Sequence, residues 1–375
     1  MATILIDARM ASLKNAGIGR YALNLLTNLS KQNNKNIKFI LITSENNHYD
    51  LKKKFKNKFQ YVKSNSNHYS LKEQVEIRKI VKNINPDIIH FLHFNVPVFL
   101  NTPYVVTIHD LIKHKSTGRD TTTRFPLTYW LKFLGYLIVF RNAVKNAKKI
   151  IVPTKHVKND LIKTYPIAKN KVIAIYEGAD TAVLKSKKVD LVKKYNIKKP
   201  YLFYIGSLYP HKNLIVVLKA LSEMKDSNIN FIVASPDNIF YKRFLKQVKK
   251  FHLEKRVVNP GFIKDEHLYK VFKEAKAFIF PSKMEGFGLP GLEAMLCGCP
   301  VISSSASCLP EVYANAVLYF DPDDHKSLIR KIRSLDNPSA RKNLIRKGKQ
   351  RVKRFSWEKM AAQTLDVYNN LLKQL

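Results

Sequence analysis

The chain has 375 residues, enough for two domains of ordinary size, and 45% of them are hydrophobic, enough to form substantial cores. Its 66 lysines and arginines against 28 aspartates and glutamates give a formal net charge of +38, which favours anionic partners such as nucleotide phosphates and acidic lipid surfaces. The excess is spread over both halves and is mostly lysine, unlike the concentrated basic face of a nucleic-acid-binding protein, so we expect no nucleic-acid partner.

The cysteines and the N-terminal residues predict the compartment. Cys297, Cys299 and Cys308 lack the Cys-x-x-Cys spacing of zinc or redox sites, so we expect free, buried thiols in a reducing environment. The opening residues T-I-L-I-D-A read as a strand and lack the charged region and long apolar stretch of a signal peptide. We therefore expect a cytoplasmic protein.

A glycine-containing loop follows the first predicted strand, residues 4–7. It ends in G-I-G-R-Y, where Gly17 and Gly19 lie at the start of a helix predicted over residues 21–29. Backbone N–H groups at such a helix start can bind a phosphate. A dinucleotide fingerprint is not indicated, because the third glycine is missing and the glycines come ten residues after the strand. A plain glycine turn is the alternative.

Histidines mark the ends of two further strands. The stretch Y-V-V-T-I-H-D, residues 104–110, predicts a buried strand ending at His109, where ligands of open α/β sheets bind. His90 and His93 lie near the end of the strand predicted over residues 87–92 and are weaker candidates for contact with a second substrate. A structural role is the alternative for each histidine.

The most apolar run of the chain lies in residues 126–147. Its core, residues 133–140, is bounded by Lys132 and Arg141 and is far shorter than the ~20 residues needed to span a bilayer. We expect a buried core helix. An amphipathic helix lying on a membrane, assisted by the positive charge of the chain, is the alternative.

The second half begins after a lysine-rich stretch, residues 184–198, that reads as an interdomain linker. A strand predicted over residues 201–205 leads into G-S-L-Y-P-H-K-N-L and a helix from Asn213. Lys212 at that helix start opposes the helix dipole unless an anion lies between them. The order of strand, glycine, cation and helix start therefore predicts a phosphate site.

The stretch F-I-F-P-S-K-M-E-G-F-G-L-P-G-L-E-A-M-L-C-G-C-P, residues 278–300, places two carboxylates around a glycine-rich turn. Glu285 lies in the loop after a predicted strand, and Glu293 lies in the helix that follows. The glycines at 286, 288 and 291 lack the Cβ that would hold a ligand away from the backbone. Taken singly, Glu285 could be a solvated charge and Glu293 a favourable partner of the helix dipole.

The Glu-x7-Glu pattern, with C-G-C-P-V-I-S-S, L-P-E-V and the earlier I-G-R-Y, resembles the signature of the retaining glycosyltransferases of family 4. The resemblance implies an α/β protein of the GT-B fold, with two Rossmann-like, doubly wound parallel-sheet domains facing across a cleft. It implies an acceptor-side domain at residues 1–183, the linker at 184–198, a nucleotide-sugar domain at 199–355 and a terminal helix at 356–375 that returns to the first domain.

The resemblance also implies roles for individual residues. Lys212 would bind the donor diphosphate, Glu285 would position the donor sugar, and His109 would reach toward that sugar, which makes these the catalytic candidates. Glu293 would bind the ribose, and Ile263 would meet the nucleobase through its backbone. The remaining donor-binding candidates are Gly17, Gly19, Ser207, His211, Gly286, Phe287, Gly288 and Leu289. Ser207 stands where family members often have arginine, which leaves the second cationic contact open, with His211 or Arg20 as substitutes.

The implied reaction is transfer of a hexose, with retention, from a nucleotide sugar to a saccharide or lipid-linked acceptor in cell-surface polysaccharide or glycolipid synthesis. Mannose from GDP-mannose is the first expectation. No cofactor or metal is expected, because the aspartates of Y-F-D-P-D-D, residues 319–324, suit a helix cap better than a metal site. The alternatives are a nucleotide-sugar 2-epimerase of the same fold and a non-catalytic basic module that binds membranes or nucleic acid. The oligomeric state is left open.

Overall fold

The computed structural model describes residues 1–32, 36–118, 121–122, 125–179, 181–184 and 187–375. The chain divides into two compact units. The first consists of Met1–Leu111, Arg124–Gly178 and Ser356–Leu375, and the second of Ile112–Thr123 and Ala179–Phe355. The stretch predicted as a linker, residues 184–198, falls within the second unit.

Each unit is built on one parallel sheet. The described strands are β1 (Ala2–Asp7), β2 (Ile37–Ser44), β3 (Gln60–Ser64), β4 (Ile88–Phe91), β5 (Tyr104–Thr107), β6 (Lys149–Val152), β7 (Val172–Ala174), β8 (Tyr201–Ile205), β9 (Asn230–Ala234), β10 (Val257–Val258), β11 (Ala277–Phe280), β12 (Val301–Ser304) and β13 (Leu318–Phe320). The first sheet has the order β3-β2-β1-β4-β5-β6-β7, and the second has the order β10-β9-β8-β11-β12-β13. The expected pair of doubly wound α/β domains is confirmed.

Helices connect most of these strands, as is usual between parallel strands. The described helices are α1 (Ala16–Leu29), α2 (Glu45–Phe55), α3 (Leu71–Ile84), α4 (Ile112–Lys115), α5 (Pro126–Asn146), α6 (Lys155–Thr164), α7 (Leu191–Tyr195), α8 (Leu214–Glu223), α9 (Ile239–Lys250), α10 (Asp265–Glu274), α11 (Leu289–Leu296), α12 (Leu309–Tyr313), α13 (His325–Ser334), α14 (Pro338–Val352) and α15 (Trp357–Leu372). Several begin at side-chain caps: Ser70 accepts a hydrogen bond from Glu73 N, and Asp324 accepts one from Ser327 N. The second of these is the cap expected for the aspartate-rich stretch.

The C-terminal helix α15 belongs to the first unit and packs against α1, as expected. It begins at Ser356, whose side chain accepts a hydrogen bond from Lys359 N. Met360 and Tyr368 are buried on its inner side, and the Tyr368 hydroxyl hydrogen-bonds the Nδ1 atom of His90 in β4. A buried polar contact of this kind favours one register of the helix over its neighbours.

Two sequence-based expectations need correction. The strand expected over residues 257–263 is only two residues long, because Pro260 and Gly261, the latter with φ of +69°, lead the chain away from the sheet. The helix expected in the core at 133–140 is part of α5, which is buried on one side only. Its inner side places Tyr136 and Phe140 in the core with residues of α3 and α6. Among the described helices, none has the length and apolar character required to cross a membrane.

Candidate active site

The loops after β8 and β11 meet at the C-terminal edge of the second sheet. There the Lys212 Nζ atom donates a hydrogen bond to Glu285 Oε1 at 2.7 Å. The two side chains are only 17% and 10% exposed, so the ion pair is largely shielded from water. Shielding strengthens the attraction between the charges and makes it costly to leave either one unpaired.

Asn213 joins the loop before α8 to its neighbours. It adopts a left-handed conformation with φ of 56°, which ends the short turn carrying Lys212. Its side-chain amide donates to the carbonyl oxygens of Pro281 at 3.3 Å and Pro322 at 2.8 Å. The backbone N–H of Lys283 also donates to His211 O at 2.8 Å. These bonds fix the loop of Lys212 against the loop of Glu285.

Tyr313 explains two of the glycines in the loop after β11. A Cβ at Gly288, whose φ is +103°, would lie 2.5 Å from the Tyr313 hydroxyl oxygen, and a Cβ at Gly291 would lie 2.3 Å from it. The Tyr313 hydroxyl donates to Gly288 O at 2.6 Å. From the sequence alone, these two glycines are explained by the close approach of a ligand to the backbone. That explanation is incomplete, because packing against Tyr313 already requires glycine at both positions.

Ser307 clamps the backbone of Glu285. The Ser307 hydroxyl donates to Glu285 O at 2.9 Å and accepts from Glu285 N at 3.2 Å. The Cys308 thiol lies 3.3 Å from the same carbonyl oxygen. Sequence reasoning missed both contacts. The serine-rich stretch after β12 was a signal for a polar loop, but it did not indicate which serine reaches Glu285.

Burial favours the uncharged forms of the neighbouring titratable groups. Desolvation and the adjacent Lys212 lower the pKa of His211 to about 4, so its imidazole is neutral at pH 7 with these neighbours, and its role as the second cationic contact stays a prediction. Burial, with Glu285 nearby, raises the pKa of Tyr313 well above its usual range. Arg20, the other substitute considered, lies in the first unit.

The other donor-binding candidates of the second unit differ in exposure. Glu293, the fifth residue of α11, is 4% exposed. Phe287 and Leu289 are buried, so their side chains are not available for ligand contact. Ile263 is also buried, whereas its neighbour Phe262 is 84% exposed, and the contact of the Ile263 backbone with a nucleobase stays a prediction.

Two smaller groups complete the candidates of the second unit. Ser207 is half-buried, and its carbonyl oxygen accepts a hydrogen bond from the Tyr204 hydroxyl at 2.6 Å. The backbone of Gly286 lies beside Glu285 in the same loop. The structure thus brings together Lys212, Glu285 and the glycine loop at one sheet edge.

The glycines of the first unit have different surroundings. A Cβ at Gly19 would lie 1.8 Å from Ser12 O, so packing of the preceding loop against α1 requires glycine there. At Gly17, in the first turn of α1, nothing lies within 4 Å of the Cβ position. Gly17 therefore keeps the open backbone approach expected of a phosphate-binding turn.

His109 follows β5 at the C-terminal edge of the first sheet. Its Nε2 atom donates to Leu92 O at 3.0 Å, which assigns the proton to that nitrogen. Its Nδ1 atom lies 3.6 Å from Glu177 Oε1, and the ring of Tyr21 packs edge-on with centroids 4.9 Å apart. Glu177 was not a sequence-based candidate, since nothing in the sequence indicates its nearness to His109.

His90 has a structural role, which corrects its place among candidates for substrate contact. It is fully buried, and its Nε2 atom lies 2.9 Å from the Thr107 hydroxyl, while Nδ1 bonds the Tyr368 hydroxyl. Burial lowers the pKa of His90 to about 3, so the ring is neutral. Both nitrogens are used inside the core.

The three cysteines are free and buried, as expected. Within the described ranges, no group of three or more histidine, cysteine, aspartate or glutamate side chains is placed to hold a metal ion. The metal-independence of the reaction stays a prediction.

Comparison with known proteins identifies the class. Residues 15–183 match the model described as Glycosyltransferase Family 4, and residues 187–351 match the model described as Glycosyl transferases group 1. The two matches together cover most of the chain, one in each half. The chain belongs to the GT-B glycosyltransferases.

Curated relatives carry related names. The O-antigen chain mannosyltransferase B of Escherichia coli is 29% identical over 61% of this chain and 62% of its own length. The O-antigen chain mannosyltransferase RfbU of Salmonella typhimurium is 26% identical over 69% of this chain and 68% of its own. The chain thus spans slightly less than two thirds of the first of these proteins and slightly more than two thirds of the second.

Solved structures share the fold over the whole chain. Sucrose-phosphate synthase of Thermosynechococcus elongatus superposes with a TM-score of 0.77 at 18% identity and covers 100% of both chains. Anabaena HepE in complex with UDP and glucose has a TM-score of 0.74 at 16% identity, over 99% of this chain and 100% of its own. At these identities the likeness concerns the fold alone.

Proposed function

We propose that the protein transfers a hexose, with retention of anomeric configuration, from a nucleotide sugar to a saccharide hydroxyl. The observation that carries this proposal is the shielded Lys212–Glu285 pair beside the glycine loop at a sheet edge. The mannosyltransferase names of the two curated relatives favour mannose, and we propose GDP-mannose as the donor. Glucose from a UDP donor is the nearest alternative, because HepE was crystallised with UDP-glucose.

The chemistry assigns different tasks to the two charges. Cleavage of the bond between sugar and diphosphate places negative charge on the leaving oxygen, and a fixed ammonium group at Lys212 stabilises that charge more in the transition state than before it. The Glu285 carboxylate accepts hydrogen bonds from sugar hydroxyls and so orients the sugar carbon toward the acceptor. We expect the acceptor to attack from the face that the diphosphate leaves, with a phosphate oxygen taking its proton.

The remaining candidates would hold the nucleoside. Glu293 accepts hydrogen bonds from the ribose hydroxyls, and the backbone at Ile263 meets the base. For the first unit, we propose the open turn at Gly17 as a phosphate contact and His109 as a contact of the donor sugar. No metal or cofactor takes part in the proposed reaction.

The identity of the acceptor is proposed from the names of the relatives. O-antigen chain synthesis, named for both curated relatives, suggests an acceptor that is a growing saccharide, carried on a lipid. We propose that the protein works in the cytoplasm, in peripheral contact with the inner face of an anionic membrane, where the net charge of +38 is attracted.

The test is incubation of the full chain with GDP-mannose, UDP-glucose and UDP-N-acetylglucosamine, each with a mannose-terminated acceptor, followed by product analysis by mass spectrometry and NMR. Transfer from GDP-mannose with an α-linked product supports the proposal. Transfer from a UDP donor alone would replace the assigned donor. Conversion of the donor sugar to its 2-epimer without transfer would show an epimerase, and no turnover of any donor would contradict catalysis.

A further inference from the structure

Helix α5 carries an apolar surface on the side that faces away from the core. Five of its apolar side chains are more than half exposed, and we call them the α5 outer face: Leu127 75%, Trp130 53%, Leu131 62%, Leu134 57% and Ile138 55%. Their spacing of three and four residues places them along one side of the helix. Phe125, directly before the helix, is 85% exposed and extends the same apolar stretch.

A helix that only served the core of this unit would be polar on its outer side. The inner side of α5 already meets the core through Tyr136, Phe140, Ala143 and Val144. The α5 outer face therefore adds nothing to the packing of the first sheet, and its apolar side chains remain in water. A contiguous apolar surface of this kind marks an interaction site.

The charges around the helix determine the kind of partner. Residues 125–176 contain ten lysines and arginines and a single acidic residue, Asp160. Arg141 and Lys145 continue the line of the α5 outer face toward the C-terminal end of the helix, and both are exposed. The Lys171 Nζ atom donates to Lys145 O at 2.6 Å, which brings a further cation to that end.

We propose that the α5 outer face docks on an anionic lipid surface, with the helix lying in the plane of the membrane. The apolar side chains would enter the boundary between headgroups and acyl chains, while Lys132, Arg141 and Lys145 contact lipid phosphates. Trp130 suits this depth because an indole ring is stabilised where apolar and wet regions meet. The inference names the surface for the membrane contact included in the proposed function, but lipid binding itself needs no transferase activity.

A second copy of the chain is the competing occupant, and charge disfavours it. Pairing two α5 outer faces would bring two strongly basic surfaces together and raise their mutual repulsion. An anionic bilayer presents the opposite charge, and each basic residue near such a surface adds to binding.

The first experiment measures sedimentation of the full chain with vesicles of phosphatidylcholine containing about one third phosphatidylglycerol, and with phosphatidylcholine alone. We expect binding to the anionic vesicles that weakens as salt increases. The double variant Leu131→Gln/Leu134→Gln should lower the partition coefficient at least about tenfold. The matched control is Leu245→Gln, an exposed leucine of α9 in the second unit, which should bind like the unchanged protein.

Folding is controlled by thermal melts, which should not change because both leucines are more than half exposed. If the glutamine variants nevertheless melt early, Arg141→Gln/Lys145→Gln tests the same surface through its charge, and we expect weaker binding with a smaller salt dependence.

The second experiment uses fluorescence, since the chain has only two tryptophans. Trp130 is 53% exposed and Trp357 is 7% exposed, so a blue shift on adding anionic vesicles should come from Trp130. The variant Trp130→Phe should still bind but lose the shift. No binding to anionic vesicles, or binding that the Leu131 and Leu134 substitutions leave unchanged, would overturn the proposal. A dimer in solution that the same substitutions dissociate would assign the surface to a second copy instead.

Discussion

Lys212 and Glu285 lie 73 positions apart in the sequence and form a shielded ion pair with an Nζ–Oε1 distance of 2.7 Å. Each of the two groups proposed to bind the donor is thus the partner of the other. Donor binding must exchange this contact for contacts with phosphate and sugar hydroxyls. The exchange gives Lys212 a new anionic partner and gives the Glu285 carboxylate hydroxyl donors, so neither charge is left without a polar partner in a shielded site.

Removing the cation should weaken diphosphate binding. For Lys212→Ala we expect the dissociation constant of the free nucleoside diphosphate, measured by calorimetry, to rise at least about tenfold, since a charge-assisted contact is lost. The control is Lys283→Ala on the neighbouring loop, whose ion pair with Asp323 is much more exposed and should matter little. Equal affinities for Lys212→Ala and the unchanged protein would place the phosphate site elsewhere.

Removing the negative charge of Glu285 should affect turnover more than binding of the diphosphate. Glu285→Gln keeps the size of the side chain and should lower kcat at least about a hundredfold, the usual effect of losing a positioned electrostatic group. The nucleoside diphosphate should still bind, because Lys212 is then released from its ion pair. Turnover close to normal in steady-state assays would remove Glu285 from the proposed mechanism.

Gly291 should not tolerate a methyl group. In Gly291→Ala the new Cβ would lie 2.3 Å from the Tyr313 hydroxyl oxygen and 2.4 Å from the ring, so the backbone or the ring must move. We expect a loss of about 1–3 kcal/mol in unfolding free energy, typical of overpacking. The measurement is urea unfolding with a matched helical glycine as the control.

That control is Gly135→Ala in α5, where nothing lies within 4 Å of the Cβ position. Because alanine favours helix more than glycine does, this variant should be more stable by about 0.5–1 kcal/mol. The expected changes in unfolding free energy have opposite signs in the two variants. This difference separates the effect of close packing from the effect of helix propensity. A neutral Gly291→Ala would show that Tyr313 can move away freely.

The Tyr313 hydroxyl should hold the loop of Glu285. In Tyr313→Phe the carbonyl oxygen of Gly288 loses the donor that bonds it at 2.6 Å, and an unpaired buried acceptor costs about 1–3 kcal/mol. We expect amide hydrogen exchange to accelerate in the loop at 286–288. Exchange unchanged from that of the native chain would mean that the loop is held by Ser307 and Cys308 alone.

Stability should decrease in acid partly through His90. Its pKa is about 3 in the folded protein and 6.5 for an ordinary histidine, so the unfolded chain binds a proton below pH 6.5 that the folded chain does not. The contribution of neutral His90 to the free energy of unfolding is fully present above pH 6.5. It is lost progressively as the pH falls toward 3. Between pH 7 and pH 5 the loss is about 2 kcal/mol.

The comparison is between His90→Gln and the unchanged protein, each unfolded in urea at pH 7 and pH 5. The variant loses a hydrogen bond of the core and should start less stable, but its further loss of unfolding free energy on acidification should be smaller. His156→Gln, a histidine near the surface of α6 in the same unit, should keep the full dependence on pH. Identical pH dependence in all three proteins would contradict the assigned role of His90.

The amino-acid sequence by itself determined the fold class and the outline of the site, because both can be predicted from short-range sequence patterns. Buried strands appear as apolar runs such as A-F-I-F at Ala277–Phe280, and the residues that follow such strands mark the ligand-binding edge. The Glu-x7-Glu spacing and the lysine of P-H-K-N are local features as well. These patterns were sufficient to predict the α/β units and to select Lys212 and Glu285.

Only the tertiary structure decided which distant residues meet. The contact between Lys212 and Glu285, the packing of Tyr313 on Gly288 and Gly291, and the burial of His90 all depend on how strands and helices pack. The same holds for the two sides of α5, since its apolar residues are almost continuous in the sequence and show no preferred side. Packing against a single face of the sheet buried Phe140 and left Leu134 in water, which no local pattern could specify.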